Sequence, residues 1–348
     1  MPETLVQIIA GFFITLAVIW VSAPLAHKIK LLDIPDHRKQ HSQAIPLTGG
    51  IAIYSALLIV LGTTRPADTY LTSFLVASGL LVLFGALDDR NQLSVRHRIV
   101  LEIMAASVMI FGADLWVGNL GNLLGVGAIH MPFWAGYLFT LVAIFGVINA
   151  INMLDGIDGL AGGVTLAIFI VLAIFTEEAK GLVIFGFALS GALLAFLISN
   201  TGVTRWFPKV FLGDAGSKLL GLTIVWILIE TARTQNGVAA SIHPATALYL
   251  IAIPLMDMVD TTIGRVRRGH SPFKADRTHL HHVLLAMGLT KSTVAVTVVF
   301  LSLAFNLLGI AMTRMNVPEF FQFGFFFISF IGLVLFKKRS HTESGEMG

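Results

Sequence analysis

Long apolar segments are the feature that most constrains the fold of this chain. About eleven of them follow one another, and each is close to the roughly 20 residues that a helix needs to cross a bilayer. Of the 348 residues, 56% are hydrophobic and 12% are charged, whereas soluble domains carry about 25% charged residues. We therefore predict an all-α integral membrane protein, a polytopic bundle of about eleven transmembrane helices. The segments are 4–26, 48–64, 70–87, 99–113, 131–149, 160–176, 181–199, 216–233, 244–263, 292–313 and 318–336.

The first apolar segment and the amino-acid composition exclude several kinds of protein and site. Segment 4–26 is too long for the core of a signal peptide and lacks a basic start, so we take it as the first membrane helix. The absence of cysteine excludes disulfides and thiolate metal sites. The basic residues form no single patch, so a nucleic-acid partner is not expected. We predict one membrane domain over residues 1–339 and a disordered cytoplasmic tail over 340–348.

The distribution of Lys and Arg predicts the orientation in the membrane. Every second connection between the segments, together with the carboxyl-terminal tail, carries 18 of the 23 Lys and Arg residues; these are 27–47, 88–98, 150–159, 200–215, 264–291 and 337–348. Cytoplasmic connections are the ones enriched in cations. The amino terminus is therefore predicted outside and the carboxyl terminus in the cytoplasm. The exceptions are Arg65, Lys180, Arg233 and Arg314, with Lys218 inside a segment.

The aspartates gather on the same predicted face, which the positive-inside rule does not require. Every aspartate except Asp68 and Asp114 lies in a cytoplasmic connection or at a cytoplasmic helix end. Carboxylates bind divalent metal ions, and metal and cations together bind phosphorylated groups. One face of the membrane is therefore the predicted site of the chemistry.

The stretch 149–163 joins two strongly apolar segments, yet it carries two amides and two carboxylates. Asn149, Asn152 and Asp155 repeat every third residue, and Asp158 continues the series. If the run is helical, these side chains share one face. Carboxylates at such a position are costly unless they pair, bind a metal or face water. A polar loop between two membrane helices is the alternative interpretation.

Two further motifs contain acids at the ends of apolar segments. Adjacent Asp88 and Asp89 repel each other unless a cation is present, so we expect either a magnesium ion or a carboxylate of this pair that acts as a base by taking up a proton. Gly213-Asp214-Ala-Gly-Ser217 opens a membrane helix, where free N–H groups favour phosphate and Asp214 can hold a metal. The alternatives are two solvated acids at a helix end and an N-cap turn in which Asp214 or Ser217 caps the helix.

The last polar region combines acids, cations and histidines. Asp257 and Asp260 share a helix face, and Asp260 either contributes to the site or forms a structural salt bridge with Arg265 or Arg267. The loop from 265 to 278 is rich in cations, which favour phosphate or the membrane surface. The histidines at 279, 281 and 282 suit phosphate contact or proton transfer better than zinc.

A basic loop precedes the second apolar segment. It runs from Asp36 through Arg38 and Lys39 into Gly49-Gly50. It either binds phosphate or is an ordinary cytoplasmic flank.

Together these motifs resemble the polyprenyl-phosphate N-acetylhexosamine-1-phosphate transferases of glycosyltransferase family 4. The resemblance covers roughly residues 25–335. Ile253-Pro-Leu-Met-Asp-Met258 and the Arg-rich loop before His279 point to the branch that uses UDP-GlcNAc rather than the muramoyl-pentapeptide branch. Gln92 stands where relatives often carry a third acid. The matches are Asp88-Asp89, the Asn149-to-Gly159 run, Gly213 to Ser217, and His279-Leu-His281-His282.

The resemblance implies transfer of GlcNAc 1-phosphate from UDP-GlcNAc to undecaprenyl phosphate, with UMP released and Mg²⁺ or Mn²⁺ required. The product would begin a lipid-linked surface glycan of the O-antigen or enterobacterial common antigen type. A homodimer is left open. The expected roles are catalysis for Asp88, Asp89 and His279, metal binding for Asp214 and Asp89, and substrate binding for Asn152, Asp155, Asp158, Arg265, His281 and His282.

Two other functions fit parts of the sequence. CDP-alcohol phosphotransferases share the Asp155-to-Gly159 pattern, but Gly162 and Gly163 stand where that family has Ala and Arg. A transporter of ions or sugar phosphates also suits many helices with acids between them. Transporters place their site near the membrane midplane, whereas the acids here gather at one face.

Overall fold

The computed structural model describes residues 2–34, 43–176, 182–233, 240–272 and 276–343, and every predicted apolar segment is helical in it. Leu32–Asp33 (β1) and Ile45–Pro46 (β2) form a short antiparallel pair that joins Leu32 to Pro46 and Asp33 to Ile45. Two π-helical turns, Val108–Gly112 and Leu182–Gly186, extend α4 and α7. The helices are Pro2–Ile29 (α1), Gly49–Thr64 (α2), Thr69–Asn91 (α3), Val95–Ser107 (α4), Phe133–Leu154 (α5), Leu160–Phe175 (α6), Phe187–Thr201 (α7), Gly213–Thr231 (α8), Pro244–Leu250 (α9), Ala252–Arg267 (α10), Leu280–Ala286 (α11), Lys291–Arg314 (α12) and Glu319–Glu343 (α13).

The lengths and apolarity of these helices confirm an all-α polytopic membrane protein. Among the described residues, six helices are long and apolar enough to cross a membrane, and the bent pair α9–α10 would be a seventh. The apolar helices α2 and α6 are shorter. The six are Glu3–Ile29, Thr69–Asn91, Phe133–Leu154, Ile184–Thr201, Lys291–Arg314 and Glu319–Ser340.

Helix α8 is the centre of the bundle. Nearly all of its residues are buried, and α2, α3 and α5 pack around it. Trp226 is fully buried and meets the Phe74 ring edge-on at 5.4 Å, while Phe74 stacks on Phe185 at 3.9 Å. This core packs the carboxyl-terminal half of α8 against α3, while Asp214 lies at the other end of α8.

A sharp break separates α9 from α10. The two helices meet at 79° around Ile251, which leaves backbone carbonyls without helical partners in an apolar environment. Asn306 on α12 is fully buried against them, and its side-chain nitrogen, turned to face these acceptors, donates to the carbonyls of Leu250 at 3.0 Å and Tyr249 at 3.2 Å. Broken helices persist in membranes only where such partners satisfy the backbone.

Replacing Asn306 with leucine is therefore expected to lower the melting temperature of the detergent-solubilised protein by several degrees. The Leu250 carbonyl loses its donor, and a buried unsatisfied group costs about 1–3 kcal/mol. The Tyr249 carbonyl loses one donor and keeps the Ile251 N–H. Ser302 lies one turn earlier on the same helix, and its buried hydroxyl has no hydrogen-bond partner among the described residues. Ser302→Ala is the matched control. Equal melting temperatures for Asn306→Leu and Ser302→Ala would contradict this role for Asn306.

Several boundaries differ from the sequence prediction. Helix α5 ends at Leu154, so Asp155 and Asp158 lie in a turn and do not continue one helical face. Helix α10 runs on to Arg267, which places Arg265 on a helix rather than in the loop. Helix α13 continues to Glu343, past the start of the predicted tail at 340, and residues 344–348 lie outside the described ones.

Candidate active site

Three glycines allow the start of α2, the end of α3 and the start of α8 to touch. A Cβ at Gly50 would lie 2.1 Å from the backbone nitrogen of Gly216, and a Cβ at Gly85 would lie 2.5 Å from the Cα of Ala215. No side chain fits at either distance. The close approach brings Asp88 and Asp89, at the end of α3, against the start of α8.

The first N–H groups of α2 are not free for phosphate. Gly49 N–H donates to the Phe211 carbonyl at 2.9 Å, and Gly50 N–H donates to the Leu212 carbonyl at 3.0 Å. The phosphate-binding interpretation of this Gly-Gly helix start is therefore wrong for these two groups. Asp36, Arg38 and Lys39, from the same predicted loop, lie outside the described residues.

Asp89 caps the start of α8 from the neighbouring helix. Its carboxylate accepts the Asp214 N–H at 2.9 Å and the Ala215 N–H at 3.4 Å. Gly213 turns the chain here with a φ of +70°, and a Cβ on it would lie 2.5 Å from Asp89 Oδ2. Neither Asp214 nor Ser217 caps this helix, and the N–H groups of residues 214 and 215, expected to be free, are occupied.

Asp214 faces α5. Its Oδ1 accepts from Asn152 Nδ2 at 2.8 Å, and the same nitrogen donates to Ser217 Oγ at 2.9 Å. Asn152 therefore joins the 149–159 motif to the 213–217 motif. About a quarter of the Asp214 side chain is exposed, so it remains open to a ligand.

Asp88 is buried and fully paired. Its side chain is inaccessible, Arg98 contacts both of its oxygens at 2.7 and 2.9 Å, and Lys218 Nζ lies 3.0 Å from Oδ2. Leu93 N–H donates to Oδ1 at 2.8 Å. Asp88 is therefore an anchor for two cations, and its geometry does not suit a base that accepts a proton from substrate.

Sequence reasoning counted Lys218 only as an exception to the charge pattern. It is buried on α8 between Asp88 and Asp214, 3.7 Å from the latter. A cation inside an apolar segment is a signal of function or pairing, and that signal could have identified it. Gln92 ends α3 with a left-handed φ of 51° and is exposed, so this chain has no third carboxylate at that position.

The turn after α5 brings Asp155 to the same centre. Burial raises the pKa of Asp155 well above its usual value, and the negative charges of Asp89 and Asp214 raise it further. Asp158 lies farther out and forms an ion pair with Lys209. The acids of three separate motifs are therefore neighbours, as their shared membrane face predicted.

Asn200 holds this turn in place, and sequence reasoning missed it. Its Oδ1 accepts the Gly159 N–H at 2.6 Å, and its Nδ2 donates to the Val210 carbonyl at 3.0 Å. It is 4% exposed at the end of α7. A polar residue closing an apolar helix was the available signal, but nothing in the sequence showed which two loops it joins.

A second cluster lies on α10 and α11. Asp257 Oδ2 contacts His279 Nδ1 at 2.9 Å, and Arg265 Nη2 contacts His279 Nε2 at 3.1 Å. Both ring nitrogens of His279 are thus occupied by protein groups. Asp260 pairs with Lys337 at 2.7 Å, so the predicted pairing with Arg265 or Arg267 is wrong.

Arg265 is 3% exposed and engaged by the loop that follows it. It forms a bidentate pair with Asp276 at 3.0 and 3.1 Å and donates to the Pro272 carbonyl at 2.8 Å. Burial raises the pKa of Asp276, but hydrogen bonds from Arg265 and Thr278 outweigh that effect and hold it at about 2.

His281 connects the two clusters. A Cβ at Gly156 would lie 2.8 Å from His281 Nε2, so the ring faces the turn beside Asp155. Burial lowers the pKa of His281 to about 3, with the neighbouring His282 and His279 contributing, so the ring is neutral. Its Nδ1 is buried without a hydrogen-bond partner among the described residues. Burial, followed by His279, also lowers the pKa of half-buried His282.

Gly156→Ala is expected to lower kcat for the reaction proposed below about 10- to 100-fold, because the added methyl displaces either His281 or the Asp155 turn. Gly202→Ala is the control, since a Cβ there meets open space and its φ of +66° makes any effect one of backbone strain alone. Steady-state kinetics of both purified variants tests this. Equal kcat values would show that the turn and His281 are not in functional contact.

Within the described residues, no group of three or more His, Asp or Glu side chains has the arrangement of a complete metal site. Asp89 and Asp214 nevertheless present hard oxygen donors side by side. Mg²⁺ is commonly held by one or two carboxylates plus substrate phosphates and water. The donor set therefore fits Mg²⁺ or Mn²⁺ bound together with a phosphorylated substrate.

A large apolar cavity is lined by residues of α5, α9 and α10, by the carboxyl-terminal end of α8 and by the segment after α4. Its volume is about 1230 Å³, above the usual range of roughly 300–1,000 Å³ for small-ligand pockets. At one end lie Trp116 and Arg233, and at the other Gly146 and Met258. The second end is one turn of α5 from Asn149, which leads into the acidic centre.

Comparison with known proteins identifies the family of this chain. A family model described as glycosyl transferase family 4 matches residues 71–232. The chain is 39% identical over 328 residues to the undecaprenyl-phosphate alpha-N-acetylglucosaminyl 1-phosphate transferase of Salmonella typhimurium, covering 93% of this chain and 88% of the relative. The proteins of the same name from Escherichia coli K12 and Haemophilus influenzae are 36% and 37% identical, with 93% and 92% of this chain and 88% and 89% of the relatives covered. The chain therefore belongs to glycosyl transferase family 4, among its polyprenyl-phosphate N-acetylhexosamine-1-phosphate transferases, which confirms the resemblance of its four motifs.

Proposed function

We propose that the protein transfers GlcNAc 1-phosphate from UDP-GlcNAc to undecaprenyl phosphate. The products are undecaprenyl-diphospho-GlcNAc and UMP, and the lipid product begins a surface glycan. The observation that carries the proposal is the contact between Asp89 and the start of α8 at Asp214. This contact brings the acids together beside a long apolar cavity. The relatives of this chain bear this activity in their names.

The proposed topology has eleven crossings, with the amino terminus in the periplasm and the carboxyl terminus in the cytoplasm. The bias of Lys and Arg toward alternate connections supports this orientation. It places the acidic centre at the cytoplasmic face, where nucleotide sugars are made. The protein is accordingly a multi-pass component of a bacterial inner membrane.

Asp89 and Asp214 are the proposed ligands of Mg²⁺ or Mn²⁺. Bound there with the substrate diphosphate, the metal ion would neutralise charge that develops on the phosphate oxygens. Lys218 lies behind Asp214 and contributes a further positive charge to a centre that meets two anionic substrates. Asn152 orients Asp214, and Asp155 and Asp158 border the space for the nucleotide sugar.

The apolar cavity is the proposed place for the polyprenyl chain, with the lipid phosphate at its α5 end near Asn149. A phosphate oxygen of the lipid forms a bond to the β-phosphorus of UDP-GlcNAc, and the bond from that phosphorus to the bridging oxygen breaks, so UMP leaves. A phosphate monoester has its second pKa near 6 and is largely dianionic at neutral pH. The attack therefore needs no base, and charge neutralisation and positioning supply the catalysis.

The pairing of three predicted site residues revises their proposed roles. Asp88 holds Arg98 and Lys218 in place rather than deprotonating the lipid phosphate. His279 and Arg265 have their polar atoms engaged by Asp257, Asp276 and one another, so they shape the 265–282 region. His281, beside Gly156, and the adjacent His282 remain the proposed contacts to the sugar phosphate.

Release of UMP by the purified protein in detergent tests this function. Release that requires UDP-GlcNAc, undecaprenyl phosphate and Mg²⁺ together, and stops with EDTA, is the expected result. Release without lipid would instead indicate a nucleotide-sugar pyrophosphatase. No release from UDP-GlcNAc or UDP-GalNAc would refute the proposal, and uptake into liposomes without UMP release would support the less favoured transporter.

A further inference from the structure

The last helix, α13, packs loosely on the rest of the protein along most of its length. In its apolar window only 6% of residues are buried, and side chains such as Phe321 and Ile328 are mainly exposed. Lys337, near its cytoplasmic end, is the opposite, with 3% of its surface exposed. A lysine buried beside a membrane is costly unless it pairs, so its partners explain why it is there.

The partners of Lys337 are acids of α10. Its Nζ lies 2.8 Å from Asp257 Oδ1 and 2.7 Å from Asp260 Oδ2. Thr261 Oγ1 lies at 3.4 Å. One cation thus pairs with two carboxylates, one turn apart, and reduces the repulsion between them.

Asp257 links Lys337 to the start of α11, which lies beside the active site. The oxygen that meets Lys337 also accepts the Leu280 N–H at 2.7 Å, at the start of α11. Its other oxygen meets His279 Nδ1 at 2.9 Å. An ionised carboxylate only accepts hydrogen bonds, so His279 carries its proton on Nδ1 and accepts from Arg265 on Nε2.

We propose that Lys337 is a positioning residue for the transfer reaction: it holds Asp257 so that α11 and its histidines face the Asp155 turn. The connected contacts run from Lys337 through Asp257 to His279 and Leu280, and His281 follows directly on α11 beside Gly156. This inference rests on the proposed function for its kinetic test.

The alternative is that Lys337 only attaches α13 to the bundle. Gln322 provides a comparison, because it attaches the other end of the same helix. It is fully buried, its Oε1 accepts from Thr246 at 3.2 Å, and its Nε2 approaches His243 at 3.1 Å. Nothing connects this outer contact to the histidines of α11 in the part of the chain that the structure describes.

The kinetic experiment compares purified full-length Lys337→Met, Lys337→Arg, Gln322→Leu and Lys338→Met. Lys337→Met is expected to lower kcat about 10- to 100-fold and to raise KM for UDP-GlcNAc, because the displaced His281 and His282 are the proposed contacts to the sugar phosphate. KM for undecaprenyl phosphate is expected to change less than about threefold, because its proposed cavity is lined by α5, α8 and α9–α10. Lys337→Arg is expected to recover most of kcat. Exposed Lys338 is the charge control, and Gln322→Leu is expected to lower the melting temperature with kcat unchanged. A kcat for Lys337→Met equal to wild type, or matched by Gln322→Leu at the same melting temperature, would overturn the positioning role.

Hydrogen exchange measured by mass spectrometry provides a test that needs no activity. Lys337→Met is expected to increase exchange in residues 276–286, whereas Gln322→Leu increases it only near residues 313–326. Unchanged exchange at 276–286 would refute the proposal. If the wild-type protein releases no UMP but the exchange result is as expected, the proposed function fails and the positioning contact stands.

Discussion

Asp89→Asn is expected to lower kcat for UMP release about 100- to 1,000-fold, equivalent to roughly 3–4 kcal/mol of transition-state stabilisation. The asparagine keeps an oxygen that can accept the Asp214 N–H, now 2.9 Å from Asp89 Oδ1. The start of α8 therefore stays capped, and the substitution removes the charge alone. Loss of activity with the melting temperature retained would place the effect in catalysis rather than in folding.

Binding of Mn²⁺, followed by electron paramagnetic resonance with UDP-GlcNAc present, separates the proposed metal role of Asp89 from a purely electrostatic one. Asp89→Asn is expected to weaken the affinity for Mn²⁺. Asp114→Asn is the control, because Asp114 lies in a different connection and pairs with Arg233. Normal Mn²⁺ affinity and normal turnover in Asp89→Asn would show that the metal ligands lie elsewhere.

Hydropathy predicted the helices well because each apolar segment must satisfy its own backbone hydrogen bonds in a membrane. It missed the break at Ile251, although Pro254, which has no N–H for the Leu250 carbonyl, was the available signal. What the sequence could not show is that Asn306, distant along the chain, donates to the carbonyls of Tyr249 and Leu250 at this break. Hydropathy also missed α11, Leu280–Ala286, which is too short and too polar to resemble a membrane segment.

The sequence predicted which residues form the site better than it predicted what each residue does. Carboxylates at the ends of apolar segments are energetically unfavourable unless they share partners, which indicated that Asp89, Asp155 and Asp214 would lie close together. Their pairing depends on packing between helices, since Gly50 and Gly85 bring α2 and α3 against α8. The sequence therefore could not show that Asp88 would be saturated by Arg98 and Lys218, or that Asp89 would cap a helix from a neighbour.

The two clusters of the site differ in whether their charged side chains are open to a substrate or are paired with one another. Around Asp214 the acids keep some exposure and face space that a nucleotide sugar can occupy. Around Arg265 the charges satisfy one another, and the salt bridge to Asp276 closes the loop. We therefore propose that Arg265 and His279 act by keeping this region in one conformation. A replacement that keeps the charge but changes the hydrogen-bond geometry is then expected to lower activity.

Arg265→Lys is therefore expected to lower kcat/KM about 100-fold although the charge is kept. Lysine cannot reproduce the planar fork that binds both oxygens of Asp276 while also reaching the Pro272 carbonyl and His279. Arg268→Lys is the matched control, because Arg268 is half exposed and makes one longer contact to Asp276 at 3.4 Å.

Asp276→Asn distinguishes loop closure from direct phosphate contact by Arg265. If Arg265 acts by holding the loop, removing the carboxylate that it grips is expected to reproduce most of the loss seen in Arg265→Lys, and combining the two substitutions adds little further loss. If Arg265 instead binds the diphosphate, freeing it from Asp276 leaves kcat/KM near wild type or raises it. Steady-state kinetics of the two single variants and the double variant decides between these roles, and a full additive loss in the double variant would contradict the loop-closing role.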